Sequence, residues 1–365
     1  MNITLLPRLA CPTCGGDFTL TTFEGTPERV TSGLLLCTSC PLYFPIIKNI
    51  PRMLPNMHER FPEFYLEHKS EVGRHTKDRD AIPNDSALRE LQTATMKSFG
   101  NEWEKWDAFG WSDSVMMEQT RRIFAYKVMA GKEELEGSLV VDAGCGNGRY
   151  TKVALDLGAE VIGIDLSAAD VAYENLKDDP KAHIIQGDLF HPPLKKSQCD
   201  FIFSNGVLMH TGNAKKAFLA LVPLLNATGA ITIHLYHKGN ILYEFNDRWS
   251  RAITTRLPLP FMHRFSEIVA RVAKALPSKF VQYGLNMFFR VEAHPHYVFD
   301  WYTAPIATHH TYPEVYGWLK EAGLHLVKDH NITRHPWRKW ILPFFFLTVK
   351  AQKKPLVGAP IHSID

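Results

Sequence analysis

The residues of this chain whose types and spacing could do chemistry begin with Asp142-Ala-Gly144-Cys145-Gly146-Asn-Gly148. This run lies between the apolar triplet Leu139-Val-Val141 and a stretch of helical periodicity. Glycines let the main chain approach a ligand closely, and the helix start beyond them offers unpaired N–H groups. Asp165 follows 21 residues after Gly144, at the end of the next apolar run, where a carboxylate can hold two ribose hydroxyls. A dinucleotide site would use the same geometry, but the spacing here is GxGxG and not GxGxxG. Asp142 would sit poorly beside a pyrophosphate and well beside a cationic ammonium group. Gly187-Asp188, after the third apolar run, would suit an adenine amino group.

A second set lies near the start, as Cys11-Pro-Thr-Cys14 and Cys37-Thr-Ser-Cys40, with 22 residues between the pairs. Two CxxC knuckles can turn four thiolates onto one tetrahedral structural Zn2+. Gly15-Gly16 permits the turn that starts a hairpin, with short strands over Asp17–Thr22 and Val30–Leu36. Free thiols or redox pairs are the other reading, but a redox CxxC belongs to a strand–helix context that is absent here. A third set comprises candidate general bases: His210 after the fourth apolar run, Tyr236 at the end of the fifth, and the pair His309–His310. Each has a plainer role open to it: His210 as a helix cap, Tyr236 as a wall residue, the pair as solvated loop histidines.

The elements that must position these groups follow from period and punctuation. With 365 residues the chain is long enough for two or more units. From Ser138 onward strands and helices alternate, predicting an α/β fold with a Rossmann-like parallel sheet. Strands are expected at Leu139–Val141, Val161–Ile164, His183–Ile185, Asp200–Ser204 and Ala230–Tyr236, with helices at Gly148–Leu157 and Ala214–Leu225. Residues 237–300 interrupt the rhythm. It resumes at Thr311-Tyr-Pro-Glu314, a capping-box spacing, followed by a helix to Ala322. Strands near Leu324–Asp329 and Phe344–Lys350 follow, the last starting after Pro343. The expected units are a ribbon over 1–55, a connector with N-terminal helices over 56–136, a core over 137–236 and 301–352, and a helical insertion over 237–300.

At this point resemblances can be named. VVDAGCGNGRY, VIGIDLS, IIQGDLF and FIFSNGVLMHT resemble the successive motifs of class I S-adenosylmethionine-dependent methyltransferases, over roughly residues 138–236 and 310–350. The resemblance implies seven strands with the last antiparallel, and S-adenosylmethionine as cofactor. It places Asp142, Gly144, Cys145 and Gly146 at the methionine moiety and Asp165 on the ribose, with Leu166 packed on the adenine. Asp188 and Leu189 would meet the adenine edge, and Asn205 and Val207 the methyl-donor side. No metal in the active site is implied. LACPTCGGDF and LLCTSCPLYFPIIKNIPRML resemble the zinc ribbon of small proteins that activate tRNA and protein methyltransferases, and keep all four cysteines. Ser98-Phe-Gly-Asn-Glu-Trp103 is similar to a segment of ribbon-fused enzymes acting on glycans or natural products. This aromatic cluster, Phe99 to Trp106, could close over the cofactor or simply pack in the core.

The insertion holds nine Lys/Arg against three Asp/Glu before Val291, with Phe261, Phe265, Ile268, Val269, Val272 and Leu276 on one helical face. It could be a lid over an acceptor pocket, buried against the sheet. It could lie on a membrane surface and admit a lipid-linked substrate, or meet an acidic acceptor such as a nucleotide sugar or RNA. Two functions follow. The first is O- or N-methylation of a small-molecule, sugar or lipid acceptor. The second is RNA or protein methylation with the ribbon gripping the macromolecule. A net charge of +3, and a ribbon with four Lys/Arg against three Asp/Glu, disfavour nucleic acid. No apolar run reaches transmembrane length; the longest, Ile341–Val349, contains Pro343. The N-terminus lacks a signal-peptide core, so a cytoplasmic enzyme is expected.

Overall fold

The computed structural model describes residues 1–54, 57–75, 86–111, 113–239, 241–286, 288–331 and 346–354. Its ribbon strands are β1 (Phe18–Gly25), β2 (Val30–Cys37), β3 (Tyr43–Ile47) and β4 (Ile50–Met53). The remaining strands are β5 (Leu139–Ala143), β6 (Glu160–Asp165), β7 (Ala182–Gly187), β8 (Cys199–Asn205), β9 (Leu225–Tyr236), β10 (His325–Asp329) and β11 (Phe346–Gln352). All five residues of β5 are buried, as a parallel strand covered on both faces must be. Ile341, Pro343 and the proposed start of the last strand lie outside the described residues.

Among the described residues one sheet contains every strand, in the order β1-β2-β3-β4-β7-β6-β5-β8-β9-β11-β10. Strands β4 through β9 in this order pair parallel. β11 runs antiparallel to both β9 and β10. The stretch β7 to β10 therefore has the expected seven strands with the last antiparallel. The ribbon is not a separate unit. β4 adds itself to the edge of β7, with Arg52 opposite Gln186 and Met53 opposite Gly187. Arg52, 1% exposed, donates to both carboxylate oxygens of Asp170 and to Gln186. Arg8–Glu160 and Lys195–Asp17 tie the same seam.

The helices are α1 (Met57–Arg60), α2 (Pro62–Glu67), α3 (Lys69–His75), α4 (Ser86–Lys105), α5 (Ser114–Val128), α6 (Lys132–Leu135), α7 (Arg149–Asp156), α8 (Ala169–Leu176) and α9 (Ala214–Leu221). They continue with α10 (Ile241–Thr254), α11 (Leu259–Ala275), α12 (Lys279–Leu285), α13 (Pro295–Thr303) and α14 (Tyr312–Glu321). α7 buries Tyr150, Thr151, Val153, Ala154 and Leu155 on the sheet. α9 is capped by Asn213, not His210. α14 begins with the full capping box of Thr311 and Glu314. Among the described residues no helix is long and apolar enough to cross a membrane.

The insertion departs from expectation. α11 buries Met262, Ser266, Ala270 and Ala273, while Phe261, Ile268 and Val272 are exposed. The predicted apolar row is split: Phe265 and Val269 are half-buried against the core, with Phe265 5.5 Å from the Tyr302 ring, while Phe261, Ile268 and Val272 are turned to solvent.

Candidate active site

The glycine loop leaves β5 and enters α7. Gly144 has φ +90°, and a Cβ there would stand 2.4 Å from the Val207 side chain. Gly146 has φ +55°, and its Cβ would fall 2.9 Å from the Trp103 ring. Both positions therefore require glycine for conformation and for space. Asn147, fully buried, donates to the carbonyls of Asp107 and Phe109, which pins the loop to the turn after α4. The Gly146 N–H donates to Asp165 Oδ2 at 2.9 Å, and Asp165 Oδ1 accepts from the N–H groups of Ser167 and Ala168. The acid at the end of β6 is thus held at the loop by its own backbone contacts.

Loop and acids open onto a cavity of about 190 Å3. Gly144, Cys145, Gly146, Asp165, Leu166, Asp188, Leu189, Asn205 and Val207 all line it, together with His210 and Tyr236. Two candidates do not. Asp142 is 1% exposed and lies behind the loop, accepting from the Thr151 hydroxyl at 2.7 Å. Burial pushes its carboxyl up to about 7. His309 is outside the lining, with Nδ1 2.7 Å from Glu244 Oε2 and its ring 5.7 Å from that of Tyr236. His310 is engaged by Thr308 and Glu314.

His210 has the chemistry of a proton acceptor. Its Nδ1 lies 2.5 Å from the Ile306 carbonyl, so Nδ1 carries the proton and Nε2 the lone pair. Nε2 is buried with no hydrogen-bond partner among the described residues. Burial, only partly offset by the bond to Ile306, lowers the ring to about 3 and keeps it neutral. The ring packs between Phe99 and Tyr236, at 5.1 and 5.4 Å. Burial raises the Tyr236 phenol well above its ordinary value, so it stays protonated.

The aromatic cluster is divided between cavity and core. Phe99 and Trp103 line the cavity, and Trp106 packs on Phe299 and His296. Sequence reasoning missed the rest of this wall: Glu102, Arg149, Arg290, His296, Tyr297 and Asp300. Arg149 lies over the rings of Trp103, Phe109 and Tyr150 at 5.4, 4.7 and 4.8 Å. Glu102 and His296 stand 3.0 Å apart, both buried. Burial raises the carboxyl and lowers the imidazole, leaving a neutral pair. The signal was present in His-Pro-His296-Tyr-Val-Phe-Asp300-Trp, a run dense in polar aromatic residues inside the insertion.

Away from this cavity, the sulfurs of Cys11, Cys14, Cys37 and Cys40 lie within 4.8 Å of one another. Cys11–Cys40 and Cys14–Cys37 are 3.7 and 3.5 Å apart, close to the roughly 3.8 Å of a tetrahedral zinc thiolate set. The N–H groups of Gly16 and Ser39 point at the sulfurs of Cys14 and Cys37. This donor set fits a structural zinc ion. The main cavity also suits its implied cofactor, because backbone glycines and strand-end acids converge where a Cβ would intrude.

Residues 141–233 match the methyltransferase domain family. The malonyl-[acyl-carrier protein] O-methyltransferase of Enterobacter lignolyticus is 31% identical over 126 residues, 34% of this chain and 48% of that protein. Its counterpart from Pectobacterium atrosepticum is 26% identical over 133 residues, 36% and 52% of the two chains. The chain thus spans about half the length of the curated relatives it matches. A solved structure of 1,6-didemethyltoxoflavin-N1-methyltransferase from Burkholderia thailandensis, with S-adenosylhomocysteine bound, is 14% identical. It covers 75% of this chain and 93% of its own at a TM-score of 0.44. With the strand order and the matched domain in agreement, this chain carries a methyltransferase domain of the class I, S-adenosylmethionine-dependent family.

Proposed function

We propose that the chain transfers a methyl group from S-adenosylmethionine to an oxygen or nitrogen of a small-molecule, sugar or lipid acceptor. The observation that carries this reading is the shared cavity, in which nine cofactor-loop and strand-end residues meet His210 and Tyr236. The bound cofactor supplies an activated methyl on a sulfonium. Gly144, Gly146, Asp165 and Asp188 would hold it, and Asn205 and Val207 would border its reactive end.

The chain's own residues then have three tasks. Phe99, Trp103 and Trp301 exclude water from the cavity they line. Tyr236, protonated, offers a hydrogen bond that orients the acceptor. The Nε2 lone pair of His210 takes the acceptor proton. A neutral imidazole of low basicity suffices, because an oxygen or nitrogen gaining a methyl becomes strongly acidic as the bond forms. The curated relatives are named for O-methylation, which supports oxygen as the receiving atom.

The pairing of β4 with β7 and the buried Arg52 support a structural role for the ribbon, and so the small-acceptor reading over one in which the ribbon grips RNA or protein. Titration calorimetry of the purified chain with S-adenosylmethionine tests the reading. Binding is expected, with Gly144→Val weakening it more than about 100-fold through the clash with Val207. Absence of binding by the wild-type chain would refute it.

A further inference from the structure

Helix α10 is amphipathic in the wrong sense for a helix in water. Tyr243, Asp247 and Arg251 are 2%, 7% and 8% exposed, while Ile241, Leu242, Phe245, Trp249 and Ile253 are 87%, 61%, 66%, 59% and 44% exposed. The charged face has a use inside. Arg251 donates to Asp247 at 2.9 Å, and its guanidinium lies 5.0 Å over Trp301 in the cavity wall. The apolar stripe has none. Leu242, Phe245, Trp249 and Ile253 recur at three- and four-residue steps and so form one continuous row. Single exposed apolar residues are ordinary, but such a row marks an interaction surface.

The row has neighbours. Asn246 donates to the Phe288 carbonyl at 3.3 Å, which holds Phe288 and Phe289, about half exposed, beside α10. The next residue, Arg290, lines the cavity. α11 carries its own exposed apolar residues, Phe261, Ile268 and Val272. The apolar surface therefore reaches the cavity rim.

Charge identifies the occupant. Arg248 on α10, Arg256 in the turn after it, and Arg264, Arg271 and Lys274 on α11 are exposed, and none makes an ion pair among the described residues. The three acids of the insertion before Val291 are all engaged: Glu244 with His309, Asp247 with Arg251, Glu267 with Lys105. A second copy of the chain would bring two sets of unpaired cations together, whereas anionic lipid would neutralise them. Apolar and tryptophan side chains flanked by arginine are the make-up of a helix lying in a membrane interface.

We propose that the helical insertion docks on an anionic membrane surface. The α10 row and Phe288–Phe289 enter the headgroup–acyl boundary while the arginines meet lipid phosphates. Docking is independent of the methyl-transfer reading. Only its consequence, that the acceptor enters from the bilayer beside Arg290, rests on that reading.

The test is flotation of the full chain with vesicles of phosphatidylcholine alone and vesicles with added phosphatidylglycerol, without cofactor. Binding is expected to the anionic vesicles and to fall with salt. Phe245→Ser with Trp249→Ser, and separately Arg264→Glu with Arg271→Glu, should each weaken it by at least about tenfold. Both variants should keep the wild-type Tm and affinity for S-adenosylmethionine. No binding to anionic vesicles, or binding that neither pair alters, would overturn the proposal. So would a wild-type dimer in light scattering that the Phe245→Ser, Trp249→Ser chain loses, since the face would then join two copies. Vesicle binding by a chain with no affinity for S-adenosylmethionine would leave docking standing and remove the methyl-transfer reading alone.

Discussion

The ribbon and the insertion's helix α10 are both additions to one largely parallel core sheet, and they bury opposite kinds of side chain. The ribbon turns Leu5, Leu9, Val30, Leu35, Phe44 and Ile46 inward, each no more than 1% exposed, into the same core as the sheet. The insertion's α10 turns Asp247 and Arg251 inward and leaves Phe245 and Trp249 in solvent. Apolar burial is the main favourable term in folding, so an element that buries its apolar face is completed by its own chain. One that exposes it is completed by something else. The ribbon belongs to the architecture, and α10 presents its apolar row outward while the rest of the insertion helps wall the cavity.

This contrast can be broken in four ways. The largest effect should come from Cys14→Ser combined with Cys37→Ser, which removes two of four metal ligands. Structural zinc contributes on the order of 10 kcal/mol to folding. The wild-type chain should carry about one zinc, and the variant none, with its melting transition lost or strongly lowered. A variant that melts like the wild type would mean the ribbon is dispensable.

Acidification should act mainly on the other side. His210, His237, His263, His294 and His296, in or against the insertion, are all held below their ordinary value by burial. As pH falls below about 6.5 the unfolded chain takes up protons that these folded rings refuse, so stability is lost on acidification. Glu102 and Asp300, raised chiefly by burial, work in the opposite sense, since the folded form binds their protons first. Five groups outweigh two. Hydrogen-exchange protection factors, corrected for the intrinsic pH dependence of exchange, should fall from pH 7 to pH 5 more in α10–α13 than in β1–β4; an equal change in both would blur the contrast.

Arg52→Met sharpens the comparison from the ribbon side. It removes bonds to Gln186 and to Asp170, whose side chain is 55% exposed and therefore screened. A loss of about 1 kcal/mol is expected, seen as a lower Tm within a single transition. Two separated transitions would show that ribbon and core fold independently. The smallest effect belongs to Phe245→Ser, which should change stability by less than about 0.5 kcal/mol. A larger loss in urea denaturation would mean that the α10 row is packed after all.

Much of this was legible before any coordinates. Leu139–Val141, Val161–Ile164 and their successors are short apolar runs with punctuation, and buried parallel strands are the only economical use for them. The knuckle spacing of Cys11, Cys14, Cys37 and Cys40 foretold a single cluster, since each pair turns within four residues. What stayed hidden lies in contacts between distant segments. Arg52 beside Asp170, Trp103 over Gly146 and Ile306 against His210 join residues 118, 43 and 96 positions apart. No local period encodes such separations. α11 misled for a related reason: Phe261, Ile268 and Val272 share a face, but periodicity cannot say whether that face meets protein or solvent.

The sequence by itself determined the alternating α/β core, the glycine loop with its strand-end acids, and the four-cysteine cluster. Those features depend on spacing along the backbone, which helix and strand geometry convert directly into position. Only the tertiary structure decided that Asp142 lies behind the loop, that His210 carries its free lone pair on Nε2, and that the ribbon extends the main sheet. It alone decided that α10 is turned inside out. Each of these depends on which side chains fill the space around a residue, and that is set by the packing of segments the chain brings together from far apart.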